Sequence, residues 1–531
     1  MKYKNNHIIS LIVICLVALC SCTADFEDMN IDSTKATSVE PELIFPFVLR
    51  DAANLKWDTY QVGENLHSNL YAQYIANTSQ NFPNGRYQYN DFAMGGFWRP
   101  YYAYILKNII VVEEELEKYP HSQNTYQLLR ILRAMSTAKI TDLFGDIPYF
   151  KAGRGEENLS YDTQKDIYYD IFKELTEAVD VLKSNIPGQK GLKKSDFIYG
   201  GDITKWIKFA NSLRLRYALR ISFIDPDKAK MEGEKALASG VMENVLDRAV
   251  SLTNKVDNPT LGYPLITICH WNEFRMSKTM ENILLTLSSV EDPRTELIWG
   301  QTKAHSEGKG PKYRGVPNGL SAAELGTSEY NLDNFSNVYG LQFFPEWNTN
   351  GVAPKGGDRI SKPYPIMNYS EVCFLKAEAA IRGWKGAGDV KENYEEGIKV
   401  SFEENRQGVD PTLYSVVNDL TYLSTGDVKW NSSLNFENKL EKIITQKWIA
   451  LFPLGSEAWS EFRRTGYPRL QTVKHSDNPD IDPSKGEFIK KIIYVDQERR
   501  DNKVHSSASD LNQGQGDGAN VRVWWDTKRY K

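Results

Sequence analysis

Residues 366–405 read IMNYSEVCFLKAEAAIRGWKGAGDVKENYEEGIKVSFEEN, and this run decides the fold class. Ile366, Tyr369, Cys373, Ala377 and Ala380 recur at spacings of three and four, which predicts one apolar stripe on a helix over 366–383. Gly386 and Gly388 break the pattern, and a second helix over 388–405 follows at once. Two helices joined by a short glycine break make a hairpin, and such hairpins stack into repeat scaffolds. Glu371 and Glu378 stand seven residues apart, two turns along one face and among apolar neighbours. No histidine lies nearby to complete a metal or acid–base site, so the spacing points to buried pairing with arginines.

The same period recurs outward from this hairpin. Toward the N-terminus it predicts helices over 98–118 (Tyr101, Ile105, Ile109, Val112), 123–142, 161–184 and 203–222, with another over 64–77. Toward the C-terminus it predicts 436–452 and 455–465, divided by Pro453 and Gly455. Gly145 ends the 123–142 helix where a left-handed cap is wanted, and Pro148 prevents it resuming. Gly383-Trp384 reads as packing between hairpins, and Arg463-Arg464 as structural contacts to carboxylates. Strand-like alternation is confined to 491–495 and 521–525. Between about 240 and 365, Gly, Pro, Asn and Ser clusters break the periodicity, and only 277–290 reads as a helix. So long an irregular stretch is expected to build a functional surface. The reading is a mostly α protein, with helical hairpin repeats over about 98–222 and 366–465 as scaffold and a large loop-rich insertion over about 240–365 that binds the ligand.

The N-terminus reads as an address. Lys2 and Lys4 precede an apolar run from Ile8 to Leu19, a signal peptide too short to remain as a membrane span. Leu19-Cys20-Ser21-Cys22 resembles a bacterial lipobox, with Cys22 the lipidated residue, and several acyl chains there would make a stable anchor. Residues 1–21 are then the signal, 22–38 a lipidated tether, and 39–531 a single domain. Asp25, Glu27 and Asp28 resemble the acidic surface-export signal of Bacteroidetes lipoproteins. The body keeps only Cys269 and Cys373, too few for a disulfide framework and expected to be buried.

Lys and Arg number 64 against 69 Asp and Glu, a formal charge of −5, so there is no nucleic-acid footprint. Seven histidines are scattered without an H-x-x-x-H or zinc spacing, and no nucleophile elbow or phosphate loop occurs. Asp477, Asp480, Asp482 and Glu487 loosely follow a calcium loop, but Pro479 and Pro483 spoil the spacing, leaving a solvated acidic loop. No catalytic constellation, cofactor or metal is expected. The 12 Trp, 29 Tyr and 22 Phe suit both helix packing and a ligand surface. Aromatics in loops are the binding candidates: Tyr87 and Tyr89 in the 79–97 loop, and Trp271, Trp299, Tyr330 and Trp347 in the insertion. Asn272 and Arg275, beside Trp271, would orient hydroxyls.

Several runs, in order, carry a family resemblance: Thr141-Asp142-Leu143-Phe144-Gly145-Asp146-Ile147-Pro148-Tyr149, Asp292-Pro293-Arg294, Tyr313-Arg314-Gly315-Val316-Pro317-Asn318-Gly319, Tyr369-Ser370-Glu371-Val372, and Arg463-Arg464-Thr465-Gly466-Tyr467-Pro468. Together with Gly201-Asp202 through Arg214 and the closing Trp524-Trp525-Asp526, they span the chain. The sequence resembles the SusD/RagB nutrient-binding outer-membrane lipoproteins. That resemblance implies tetratricopeptide-like hairpins, an oligosaccharide or peptide ligand, no enzymatic activity, and a partner: a SusC-like TonB-dependent outer-membrane transporter. A surface lipoprotein enzyme acting on glycans and a helical-repeat assembly factor are the alternatives.

Overall fold

The computed structural model describes residues 39–184, 191–251, 263–339 and 362–530; Cys22, the tether and Trp347 lie outside these. The hairpin read first from sequence is present as α9 and α10, and the other longer helices are named in chain order around it. They are α1 (Pro41–Ala52), α2 (Asp91–Arg99), α3 (Lys107–Glu115), α4 (Gln123–Phe144), α5 (Gln164–Lys183), α6 (Ile203–Arg220) and α7 (Pro226–Ser239). After α8 (Lys278–Thr286) come α9 (Tyr369–Ile381), α10 (Val390–Arg406), α11 (Phe436–Ala450) and α12 (Gly455–Thr465). Neighbouring helices pack as pairs: α4 on α5, α6 on α7, α9 on α10, and α11 against α9. Side-chain caps set several starts. Asp202 accepts from the amides of Thr204 and Lys205, Thr163 from Asp166, and Asp389 from Glu392. Gly466, at φ 81°, ends α12 in the left-handed conformation that a side chain would resist.

Among the described residues, four short strands form two antiparallel ribbons. β1 (Ile75–Asn77) pairs with β3 (Phe274–Met276), and β2 (Ala249–Ser251) pairs with β4 (Tyr364–Met367). These correct several expectations. Ile366 lies in β4, and the helix begins only at Tyr369, because the sheet partner claims residues that the helical stripe also fitted. The predicted 64–77 helix is a π-helical segment, Tyr60–Ser68, continued by an α-helical turn, Asn69–Tyr71, before the chain enters β1. The 98–118 helix is α2, a π-helical segment Pro100–Leu106, and α3. Pro100 has no N–H to donate, so the ladder widens there. Segments 491–495 and 521–525 form no strand; Ile492 N–H instead donates to Leu143 O (2.8 Å), tying the segment to the end of α4. Helix α7 escaped the periodicity because its inward positions are Ala229, Glu232, Gly233 and Ala236 rather than large apolar residues.

The scaffold's interior holds a row of ion pairs. Arg216 donates two bonds to Glu371 (2.7 and 2.6 Å) across α6 and α9. Arg464 on α12 donates to Glu378 (2.7 and 2.6 Å) and to Glu461 (3.0 and 2.7 Å). Arg220, fully buried, reaches Glu457 at 2.6 Å, Glu461 at 2.7 Å and Asp142 at 3.3 Å, and Lys447 lies 3.2 Å from Glu461. Burial pushes the carboxyls of Glu378, Glu457 and Glu461 up, but the surrounding arginines and Lys447 outweigh it and leave them below the usual range. The pairing expected for Glu371, Glu378 and Arg464 is therefore present. Arg463 differs: it donates to Lys490 O and Ser460, with its guanidinium over the Trp459 and Trp525 rings.

Packing between hairpins is tight where expected. The Trp384 ring lies so close to Gly233 on α7 that a Cβ there would come within 2.2 Å of it. Cys269 and Cys373 are buried, and neither joins a disulfide among the described residues. At the start of α9, Glu404 of α10 accepts from the amides of Tyr369 (2.8 Å) and Ser370 (3.2 Å). Burial pushes the Glu404 carboxyl up to about 7 despite those bonds.

Candidate functional site: an aromatic corner beside the β1–β3 ribbon

The ribbon fixes the position of the loop before β3. Ala76 faces Arg275 across it, and beyond its end Thr78 N–H donates to Glu273 O (2.9 Å) while Thr78 Oγ1 donates to Asn272 O (2.9 Å). Asn272 sits at φ 63°, a left-handed position that asparagine tolerates better than most residues, and it turns the chain from a 3₁₀ segment, Cys269–Trp271, into β3. Arg275 Nη2 donates to Asn272 Oδ1 (2.8 Å) and Nη1 to Phe274 O (2.9 Å). Burial pulls the Arg275 guanidinium down to about 10, and the nearby Asp333 carboxylate only partly offsets it.

Trp271 projects from this loop and meets Trp57 edge-on, ring centroids 5.5 Å apart and planes at 87°. Trp57 is 38% exposed and Trp271 half-buried, so two indole rings form a right-angled corner at the surface. Beside it Gln61 donates to Glu273 Oε2 (2.8 Å), and burial raises the Glu273 carboxyl. Lys56 lies 5.8 Å above the exposed Tyr104 ring. The corner thus joins apolar ring faces to an amide and a carboxylate, the combination that stacks on a sugar ring and orients its polar substituents.

The sequence candidates separate. Trp271, Asn272 and Arg275 come together here, with Arg275 buried and committed to shaping the loop. Tyr330, also near the ribbon, stacks on Phe335 (6.0 Å, 12°) with the Arg314 guanidinium 4.9 Å from the Phe335 ring. Tyr89 belongs to another neighbourhood: its hydroxyl donates to Asp91 (3.0 Å) and Asp496 (2.7 Å), and Arg499 lies 4.8 Å over its ring. Two candidates are corrected. Trp299 is fully buried against Phe452 (5.5 Å), and Tyr87 is buried against Tyr71 (5.6 Å), so neither offers a face to a ligand. Loop position in sequence misled there, because these loops fold back over the core. Trp57 and Gln61 were missed; Trp57 stands between Lys56 and Asp58, a large aromatic among charges, and that contrast was the available signal.

The acidic segment is distributed among local partners. Asp477 accepts from Arg86 (2.8 Å), Asp482 from Ser484 N–H (3.0 Å), and Glu487 from Asp482 N–H (2.9 Å). Among the described residues no group of three or more His, Cys, Asp or Glu side chains is placed to hold a metal ion, and no helix is long and apolar enough to cross a membrane.

A helical-hairpin scaffold that holds an aromatic corner on a short ribbon places the chain in the repeat-scaffold class of folds. The SusD-like family, described as SusD and RagB outer membrane lipoproteins, matches residues 27–526, and the chain belongs to it. Among solved structures, a chitin-binding SusD homolog from Flavobacterium johnsoniae is 30% identical, with a TM-score of 0.75 over 91% of this chain and 99% of that one. A SusD homolog from Bacteroides uniformis is 27% identical (TM-score 0.74, 92% and 99% covered), and one from Parabacteroides distasonis 26% (TM-score 0.76, 92% and 98%). No curated protein matches significantly.

Proposed function

We propose that this outer-membrane lipoprotein captures oligomers of N-acetylglucosamine at the cell surface and passes them to a SusC-like TonB-dependent transporter. The observation that carries the ligand class is the Trp57–Trp271 corner with Gln61 and Glu273 beside it, in a chain 30% identical to a chitin-binding SusD homolog. Indole faces stack on the apolar C–H faces of the sugar ring, while Gln61, Glu273 and Asn272 are the groups to meet acetamido and hydroxyl substituents. Binding rather than turnover is the role, as in the chitin-binding SusD homolog. Cys22 carries the lipid anchor, and Asp25, Glu27 and Asp28 direct it outward.

Isothermal titration with an N-acetylglucosamine pentamer, a glucose pentamer of the same linkage and an extended peptide tests the ligand. Binding confined to the first supports the reading; preference for the peptide overturns it. Cys22→Ser should release the protein from membranes in cells lacking the transporter, and retention there would refute the anchor. Co-purification of a transporter from native membranes tests the partner.

A further inference from the structure

A cleft of about 600 Å³ lies away from the ribbon, between α2 and the segments around residues 148–159 and 495–502. Trp98 and Tyr102 are among its lining residues, their rings tilted by 46° with centroids 4.8 Å apart. Its charged lining is one-sided, with Asp91, Glu156, Glu157, Glu498 and Asp501 against the single cation Arg99. Glu157 makes no ion pair among the described residues, whereas Glu156 reaches Lys151 (3.6 Å) and Asp501 pairs with Arg500 (3.0 Å) on the exposed rim. A second observation is independent of charge. Asn502 lines the cleft at 8% exposure; its Nδ2 donates to Leu159 O and Glu498 Oε1 (both 2.8 Å), yet its Oδ1 accepts no hydrogen bond. A buried acceptor left without a donor is costly, and a ligand N–H would satisfy it.

Carboxylates, an unsatisfied amide acceptor and aromatic rings lining one cleft ask for a donor-rich cation on an apolar body. We propose that this cleft is a second binding site, for oligosaccharides that carry free amines. The proposal rests on the reading of the chain as a carbohydrate binder, and it separates two ligand forms by charge. N-acetylated units go to the aromatic corner, and deacetylated, cationic units go to the acidic cleft. Its volume falls in the range of small-ligand sites. Attraction between solvent-facing charges weakens as salt rises, so affinity there should be salt-dependent in a way the corner's is not.

The test uses the full chain and three probes: a glucosamine trisaccharide, its N-acetylated counterpart, and spermidine. Two variants address the cleft. Glu157→Gln with Asp501→Asn removes exposed charge, and Ala103→Trp, at an exposed lining position, fills the space. Both variants should weaken glucosamine-trisaccharide binding at least tenfold and leave the N-acetylated trisaccharide unchanged. Unchanged affinity in both variants, or no binding of the glucosamine trisaccharide to the parent protein, overturns the proposal. Spermidine binding as tightly as the trisaccharide overturns the sugar assignment. Loss of N-acetylated-oligomer binding in Trp57→Ala with Trp271→Ala reports on the corner alone, so the two readings fail separately.

Discussion

The ion-paired interior between α6, α9, α11 and α12 and the aromatic corner on the β1–β3 ribbon are built on opposite principles. In the interior, Arg464, Glu378, Glu461 and Arg220 are fully buried and each of these four has a counter-charge within 3.3 Å. At the corner, two tryptophans meet edge-on and Trp57 stays exposed to solvent. The interior spends its chemistry on itself. The corner leaves ring faces for another molecule. Stability and recognition are therefore expected to respond to different residues.

The largest effect should come from breaking the interior. Glu378→Ala leaves the buried Arg464 with Glu461 as its remaining carboxylate and takes the carboxylate from Arg382, and removing one partner from buried pairs of this kind costs about 3–5 kcal/mol. Urea denaturation should show that loss, while pentamer affinity of the folded fraction stays unchanged; a parallel fall in affinity would show the regions to be coupled. Next, Gly233→Leu drives a side chain into the Trp384 ring, and overpacking of this kind costs about 1–3 kcal/mol, again visible in melts and not in binding. At the corner the pattern should invert. Trp57→Ala or Trp271→Ala should weaken oligomer binding by about 1–3 kcal/mol, on the scale of stacking on aromatic side chains, with the melting temperature nearly unmoved. A drop in stability without loss of affinity would reassign Trp271 to the core.

The interior also sets a pH signature. Glu378, Glu457 and Glu461 sit below their unfolded value of 4.5, so their stabilisation is full above that pH and is lost as pH falls. Glu404 has the opposite sign. Its folded value near 7 lies above 4.5, so its contribution is complete below pH 4.5 and fades as pH rises through about 7. Glu404→Gln should flatten the decline in that window in chemical denaturation at stepped pH, and an unaltered slope would remove Glu404 as its source. The smallest expected effect is none: Tyr89→Phe should leave pentamer affinity as it is, because Asp91, Asp496 and Arg499 already occupy that side chain.

What the sequence disclosed follows the same division. The hairpin at 369–406 was legible because its apolar stripe is regular and its glycine break is short. Glu371 and Glu378 could be read as paired because a helix fixes which residues share a face. The ribbons were not legible, since strands of three or four residues carry too little alternation to see. The candidate corner was half legible. Trp271 with its polar neighbours stood out, but Trp57 joins it across more than two hundred residues, and no local pattern reports such a contact. Trp299 and Tyr87 show the converse, being loop residues by sequence and core residues by burial.

The tie between the end of α4 and residues 492–525 bears on when this chain can become finished protein. Trp525 Nε1 donates to Asp142 (2.6 Å), Tyr494 Oη to Asp146 O (2.6 Å), and Asn512 N–H to Asp146 Oδ2 (2.7 Å). Asp142 also faces Arg220, the hub of the buried pairs. A nascent chain that has delivered only α4 to α12 therefore holds that carboxylate without its indole donor and Arg463 without one of its two covering rings. The native interior can close only after residue 525 has emerged, and contacts this distant in sequence form slowly.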